Sequence, residues 1–173
     1  MLKPGNRTLL LESLRPPPGF ELDRCLGTTY SLDLQALLTA PLAFTLFERE
    51  DEQGSQNSDP LALLESLRRY AGRMHVFCQS GRIQVPRSQD LLFSYLEDSV
   101  VQVAPASGGV FHPKLWLLRY LDASDNILYR LLCLSRNLTF DRSWDTILCL
   151  EGWEMTGRVQ LENLPLAAFL EDL

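Results

Sequence analysis

With 173 residues, 46% of them apolar, the chain is long enough for one domain with a full hydrophobic core. Its net charge of −6 argues against avid nucleic-acid binding by this chain alone, because phosphate contacts with basic residues supply most of such affinity. Any nucleic acid must therefore meet a local basic surface or parts outside this sequence. No apolar run reaches the length of a membrane span, and the N-terminus, MLKPGNRTLLLESLRPPPG, lacks the apolar stretch and small-residue cleavage site of a signal peptide.

Residues 1–20 read as an arm, with a short helix over Thr8 to Leu14 stopped by the stiff Pro16-Pro-Pro18-Gly19 spacer. Residues 21–173 then form the domain. Glu21 to Thr29 reads as the first strand, closing in Gly27-Thr-Thr-Tyr-Ser31. Ser31 is placed to cap a helix from Leu32 to about Phe47, with Asp33 favourable in its first turn and Pro41 kinking or breaking it. Residues 48–59 form a polar loop. Asp59 as N-cap and Pro60 at the first position start a helix to Tyr70. A short buried strand, Met74 to Cys78, is followed by the turn Gln79-Ser-Gly81, a third helix over Ser88 to Leu96, and a strand over Val100 to Ala104. Further on, Thr146 to Leu150 reads as a strand and Leu164 to Leu173 as a closing helix with no terminator after it. The order β-α-α-β-α-β, then a hairpin and another strand, indicates an α/β fold with helices covering a mixed sheet.

Four cysteines, Cys25, Cys78, Cys133 and Cys149, each sit in an apolar run with no C-x-x-C spacing, which predicts buried free thiols and a reducing, cytoplasmic setting. With two histidines and no paired cysteines, no metal site is expected, and no cofactor is implied. His75, in its short strand, reads as a core or edge histidine. Trp116, Trp144 and Trp153 read as packing residues rather than base-stacking platforms. Gly108-Gly109 reads as a flexible loop, since no P-loop lysine and serine or threonine follow it.

The residues that carry chemistry lie between Gly108 and Gly152. Strands over Lys114 to Leu121 and Ile127 to Leu134, joined by Asp122-Ala-Ser-Asp-Asn126, form an antiparallel hairpin. His112 and Lys114, two apart, share a face at its entrance. Ser135 and Asn137, also two apart, follow where the second strand returns beside the start of the first. An imidazole, an ammonium, a hydroxyl and a carboxamide are thus expected to converge on one tetrahedral anion.

His112-Pro-Lys114, a strand, and Ser135-Arg-Asn137-Leu-Thr139 resemble the phospholipase D superfamily, in the style of its nuclease and tyrosyl-DNA phosphodiesterase-type members. The resemblance is strongest over residues 108–152, weaker over 22–107 and absent before that. Two positions depart from the common pattern. Arg119 stands where an aspartate often follows the lysine, and Leu134 where a glycine is common. The aspartate is dispensable in the tyrosyl-DNA phosphodiesterase branch.

The resemblance implies one half-unit of a phospholipase D-like fold and a metal-independent phosphodiesterase, nuclease-type and acting on DNA through a phosphohistidine intermediate. His112 matches the nucleophile or acid/base histidine, and Lys114 and Asn137 the phosphate-binding pair. Ser135 supports the site, and Asp145 falls near a group that orients the histidine. A family site uses two such histidine sets, because the nucleophile must be neutral while the leaving-group acid is protonated. This chain holds one set and no internal repeat. The second half-site therefore comes from a homodimer partner or from a C-terminal region beyond Leu173. The alternative is a non-catalytic phosphate- or nucleic-acid-binding module of a larger restriction- or helicase-associated protein.

Overall fold

The computed structural model describes residues 9–45, 60–86, 91–141, 143–154 and 161–172. Thr8, the 48–59 loop, the Asp59 cap and residues 88–90 of the expected third helix lie outside the described residues. In chain order the elements are α1 (Leu10–Leu14), β1 (Phe20–Thr29), β2 (Leu32–Asp33), α2 (Leu34–Thr45), α3 (Pro60–Tyr70), β3 (Met74–Gln79) and β4 (Ile83–Gln84). A 3-10 helix (Leu91–Ser99), β5 (Val100–Val103), β6 (Leu115–Asp122), β7 (Ile127–Leu134), β8 (Ile147–Trp153) and α4 (Leu164–Glu171) follow.

Six strands form one mixed sheet in the order β5-β3-β1-β6-β7-β8, and β2 pairs with β4 in a small second sheet. β5, β3 and β1 run parallel, whereas β6, β7 and β8 each run antiparallel to their neighbours. The expected α/β fold with a mixed sheet and helices is therefore the observed one. Parallel neighbours need long crossovers, which α2, α3 and the 3-10 helix provide, while β6 and β7 are joined directly through the 122–126 turn.

The strands' period of two sorts their side chains onto two faces. Leu22 and Cys25 of β1, Met74, Val76 and Cys78 of β3, Trp116, Leu118 and Tyr120 of β6, and Leu128 and Leu132 of β7 share one face. They join Leu37, Ala40, Ala43 and Phe44 of α2 and Leu67 and Tyr70 of α3 in a single core. Exposed Tyr129, Leu148 and Leu150 lie on the opposite face. Part of the segment read as an arm belongs to this core, with Leu14 buried. Tyr120 Oη donates to the Leu14 carbonyl at 3.0 Å, and Arg130 Nη1 donates to the carbonyls of Ser13 and Arg15 at 2.8 and 2.6 Å. These donors satisfy carbonyls left open at the end of a short helix.

Several local expectations are corrected. Leu32 and Asp33 pair with β4 instead of opening the helix, so α2 begins at Leu34. Its first turn is capped by Asp33 rather than Ser31, since Asp33 Oδ1 accepts the Gln35 N–H at 2.9 Å. Pro41 does not break α2, which runs on to Thr45, because Ala40, Pro41, Ala43 and Phe44 are buried against the sheet and that packing outweighs one lost backbone bond. The third helix is a 3-10 helix over Leu91–Ser99. Cys25 and Cys78 are buried, but Cys133 and Cys149 are exposed, because β8 is an edge strand and β7 presents one face outward. Trp116 is a core residue, Trp153, though 60% exposed, packs edge-on against Phe20 with ring centroids 5.6 Å apart, and Trp144 is 80% exposed.

The central pair β1–β6 depends on a missing side chain. Gly27 faces Trp116, and a Cβ at Gly27 would stand 3.2 Å from three carbons of the indole ring. Gly27→Ala is therefore expected to cost about 1–3 kcal/mol through overpacking. Gly72→Ala, whose Cβ would meet nothing within 4 Å, is expected to stay within about 0.5 kcal/mol of the parent. Urea midpoints at constant slope measure both, and equal costs at the two positions would contradict this packing.

Candidate functional site

The site lies at the carboxyl end of the parallel strands, where open α/β sheets place their ligands. Two consecutive buried threonines at the end of β1 assemble it. Thr28 Oγ1 accepts the N–H of Leu115, the residue after Lys114, at 3.0 Å. Thr29 Oγ1 accepts the N–H of Leu138, the residue after Asn137, at 2.9 Å and donates to the Ser31 carbonyl at 2.9 Å. Beyond it, the Asp33 N–H donates to the Leu138 carbonyl at 2.9 Å. The hairpin closes the same junction, since the Leu134 N–H donates to the Lys114 carbonyl at 2.9 Å.

His112 is exposed and Lys114 half-buried. The Lys114 ammonium sits 3.0 Å from His112 Nδ1 and 3.1 Å from Nε2, and 3.2 Å from the His112 carbonyl oxygen. An ammonium only donates, and which ring nitrogen accepts from it depends on the tautomer. Burial lowers the Lys114 pKa, a penalty on a charge that an arriving anion would relieve. The residue before His112 is pinned. Phe111 is buried, and its N–H donates to Gln79 Oε1 at 2.7 Å. Gly108, at φ +75°, shapes the loop that leads there, so its role is a defined turn.

Two side chains that sequence reasoning missed complete this end. The Tyr30 ring lies 5.3 Å from the His112 ring, tilted by 46°, and the Arg82 guanidinium lies 5.4 Å from the Tyr30 ring centre. The only signal for Tyr30 was its place after two threonines at a strand end. For Arg82 there was none.

The second half of the motif is braced differently from expectation. Asp145 Oδ1 accepts the Ser135 N–H at 2.9 Å, the Ser135 hydroxyl at 2.7 Å and the Arg136 N–H at 3.0 Å. Ser135 Oγ in turn accepts the Thr146 N–H at 3.0 Å. Asp145 thus orients Ser135 and the loop, and among the described residues it makes no hydrogen bond to His112. Its Oδ1 is taken up by these three donors. Arg136 clamps the rest of the loop, donating to the carbonyls of Thr139, Asp141 and Ser143 and pairing with the Asp141 carboxylate at 2.9 Å. The Ser143 hydroxyl, foremost among several donors, holds the Asp141 carboxyl well below the usual carboxylate range.

The side chains of the two motif halves are brought near each other through the backbone, not into direct contact. Among the described residues no hydrogen bond joins His112 or Lys114 to Ser135 or Asn137. Asn137 lines a cavity of 470 Å³ bounded by Leu9 to Leu11, Ala36, Thr39, Leu138 to Asp141, Ser143 to Asp145 and Ile147, and neither His112 nor Lys114 lines it. Its Oδ1 is buried without a hydrogen-bond partner. His75 is exposed near the start of β3, toward the other end of the sheet, and so lies apart from the cluster. Among the described residues, no three His, Cys, Asp or Glu side chains gather to hold a metal ion, and no helix is long and apolar enough to cross a membrane.

No family model and no curated protein matches the chain. The fold is similar to that of yeast tyrosyl-DNA phosphodiesterase, with a TM-score of 0.41 and 16% identity over 75% of this chain. Structures of two mutants of the yeast enzyme align alike, at 15% and 16% identity and the same TM-score. The chain spans about a quarter of that enzyme, 23% to 24% of its length.

The role found for Asp145 is testable. Asp145→Asn keeps a side-chain oxygen for all three donors, whereas Asp145→Ala leaves them without it. The alanine variant is expected to lose about 1–3 kcal/mol in urea unfolding and the asparagine variant less than half of that. Equal losses would mean that the carboxylate charge, not its oxygen, holds the loop.

Proposed function

We propose that the chain supplies one half-site of a metal-independent phosphodiesterase of the phospholipase D superfamily, nuclease-type and acting on DNA. The observation that carries this reading is the His112–Lys114 contact, an exposed imidazole held beside a half-buried ammonium. Phosphate oxygens arriving at this end draw the ammonium from the ring and leave a ring nitrogen free to attack phosphorus. The P–N bond forms as the P–O bond to the leaving group breaks. A second imidazole gives its proton to the departing oxygen, then takes one from the water that cleaves the phosphohistidine. Lys114 stabilises the charge on the phosphoryl oxygens throughout, in place of a metal ion. Asn137 serves as the second phosphate contact through its amide N–H once it swings out of the cavity it lines here, with Ser135 holding its loop.

The second imidazole comes from another copy of the chain or from a further C-terminal region. With a second copy, the two motifs face each other across a two-fold axis. A non-catalytic phosphate-binding module is the other reading, and one observation favours it. The chain's second histidine, His75, lies toward the other end of the sheet and cannot supply the missing group.

Hydrolysis of a DNA phosphodiester is expected to persist in excess chelator and to fall by ~10³-fold or more in His112→Ala. In a homodimeric enzyme, activity per chain rises with concentration. Mixing His112→Ala chains into the parent then lowers activity more steeply than dilution does. Activity that vanishes on chelation and returns with magnesium would sink the mechanism. Anion binding without turnover at any concentration excludes the homodimeric enzyme.

A further inference from the structure

We infer that Arg82 and Tyr30 extend the anion site. Arg82 grips a second phosphate of the same strand, and Tyr30 positions the His112 ring. This rests on the phosphodiester reading of His112 and Lys114 and deepens it, since it makes the ligand a polyanionic chain and not an isolated diester.

Backbone contacts fix both residues. The Gln79 N–H donates to the Tyr30 carbonyl at 3.3 Å, the Leu32 N–H to the Arg82 carbonyl at 3.0 Å, and the Arg82 N–H to the Gln79 carbonyl at 3.1 Å. The parallel pair of β2 with β4 then carries the 79–82 turn alongside Tyr30. Gln79 also holds Phe111, so the same turn sets the imidazole's approach. The result is a row in which guanidinium, phenol ring, imidazole and ammonium follow one another.

Arg82 differs from the arginines that serve the fold. Arg69, Arg119, Arg130 and Arg136 each face a carboxylate. Arg82 is exposed, rests on a ring and pairs with no carboxylate among the described residues. A guanidinium stacked on an aromatic face keeps its donor edge free, and that edge suits a phosphate. In a chain of net charge −6, two cations and an imidazole gathered on one sheet end form the local basic surface that a nucleic-acid strand requires. Tyr30, lying against one side of the imidazole, limits its rotation and leaves the other side for the ligand.

The test compares two thymidine oligonucleotides, TpT with one phosphate and pTpTp with three. Binding is measured by calorimetry in the His112→Asn chain, so that no turnover intervenes. Adding Arg82→Gln is expected to weaken pTpTp about tenfold and TpT less than twofold. Lys114→Gln weakens both. Separately, the parent chain has two histidines, whose ring protons NMR resolves. Tyr30→Leu is expected to shift the His112 ring signals and leave those of His75 in place, while Tyr30→Phe preserves both. Equal losses for the two oligonucleotides in Arg82→Gln, no loss for either, or His112 signals unmoved in Tyr30→Leu would each overturn the inference. The phosphodiesterase reading fails by a different result, namely hydrolysis that vanishes on chelation and returns with magnesium while the Arg82 discrimination stays intact.

Discussion

The candidate site depends on two adjacent hydroxyls. Thr28 and Thr29 close β1, and each accepts one backbone N–H from the residue that follows a motif, Leu115 after Lys114 and Leu138 after Asn137. A buried N–H left without an acceptor costs about 1–3 kcal/mol, so each hydroxyl is a strong local constraint. Together they tie the entrance and the exit of the β6–β7 hairpin to one strand end. The residues with the chemistry do not hold themselves in place. They are held by a strand more than eighty residues earlier in the chain.

The architecture explains why that strand end is firm. β1 lies between parallel β3 and antiparallel β6, with its inward side chains packed under α2 and α3. A two-stranded hairpin alone is marginal in water, but here it is flanked by β1 and β8. The order of strands also puts the start of β6 beside the carboxyl end of β1, because the two run antiparallel. The H-x-K segment therefore arrives where the parallel strands deliver their own loops, including Tyr30 and the 79–82 turn. One end of the sheet receives contributions from β1, β3, β6 and β7.

The hairpin was readable from the sequence because its apolar runs and polar turn are local signals, and β6 and β7 begin and end within one residue of expectation. The His112–Lys114 pair was readable for the same reason. Parity misled beyond the strand. β7 ends at Leu134, so Ser135 and Asn137 lie in a loop where residues two apart no longer share a face, and Asn137 turns toward α1 and α2. Asp145 was placed near the histidine by analogy of position, but its oxygen meets closer donors on Ser135 and Arg136. The exposure of Cys133 and Cys149 was not visible because an apolar run does not say whether its strand is central or at an edge. Tyr30 and Arg82 meet through the 79–82 turn and the β2–β4 pair, two residues long, below what a pattern can signal.

The bareness of Gly27 has an optical consequence. Trp116 lies over that glycine, two residues after Lys114, and Gly27 immediately precedes Thr28. The buried indole therefore emits from the same few ångströms of backbone that hold the motif. Trp144 and Trp153, largely exposed, contribute emission at longer wavelengths. The blue side of the protein's intrinsic fluorescence thus reads the integrity of the junction between β1 and β6 without any label.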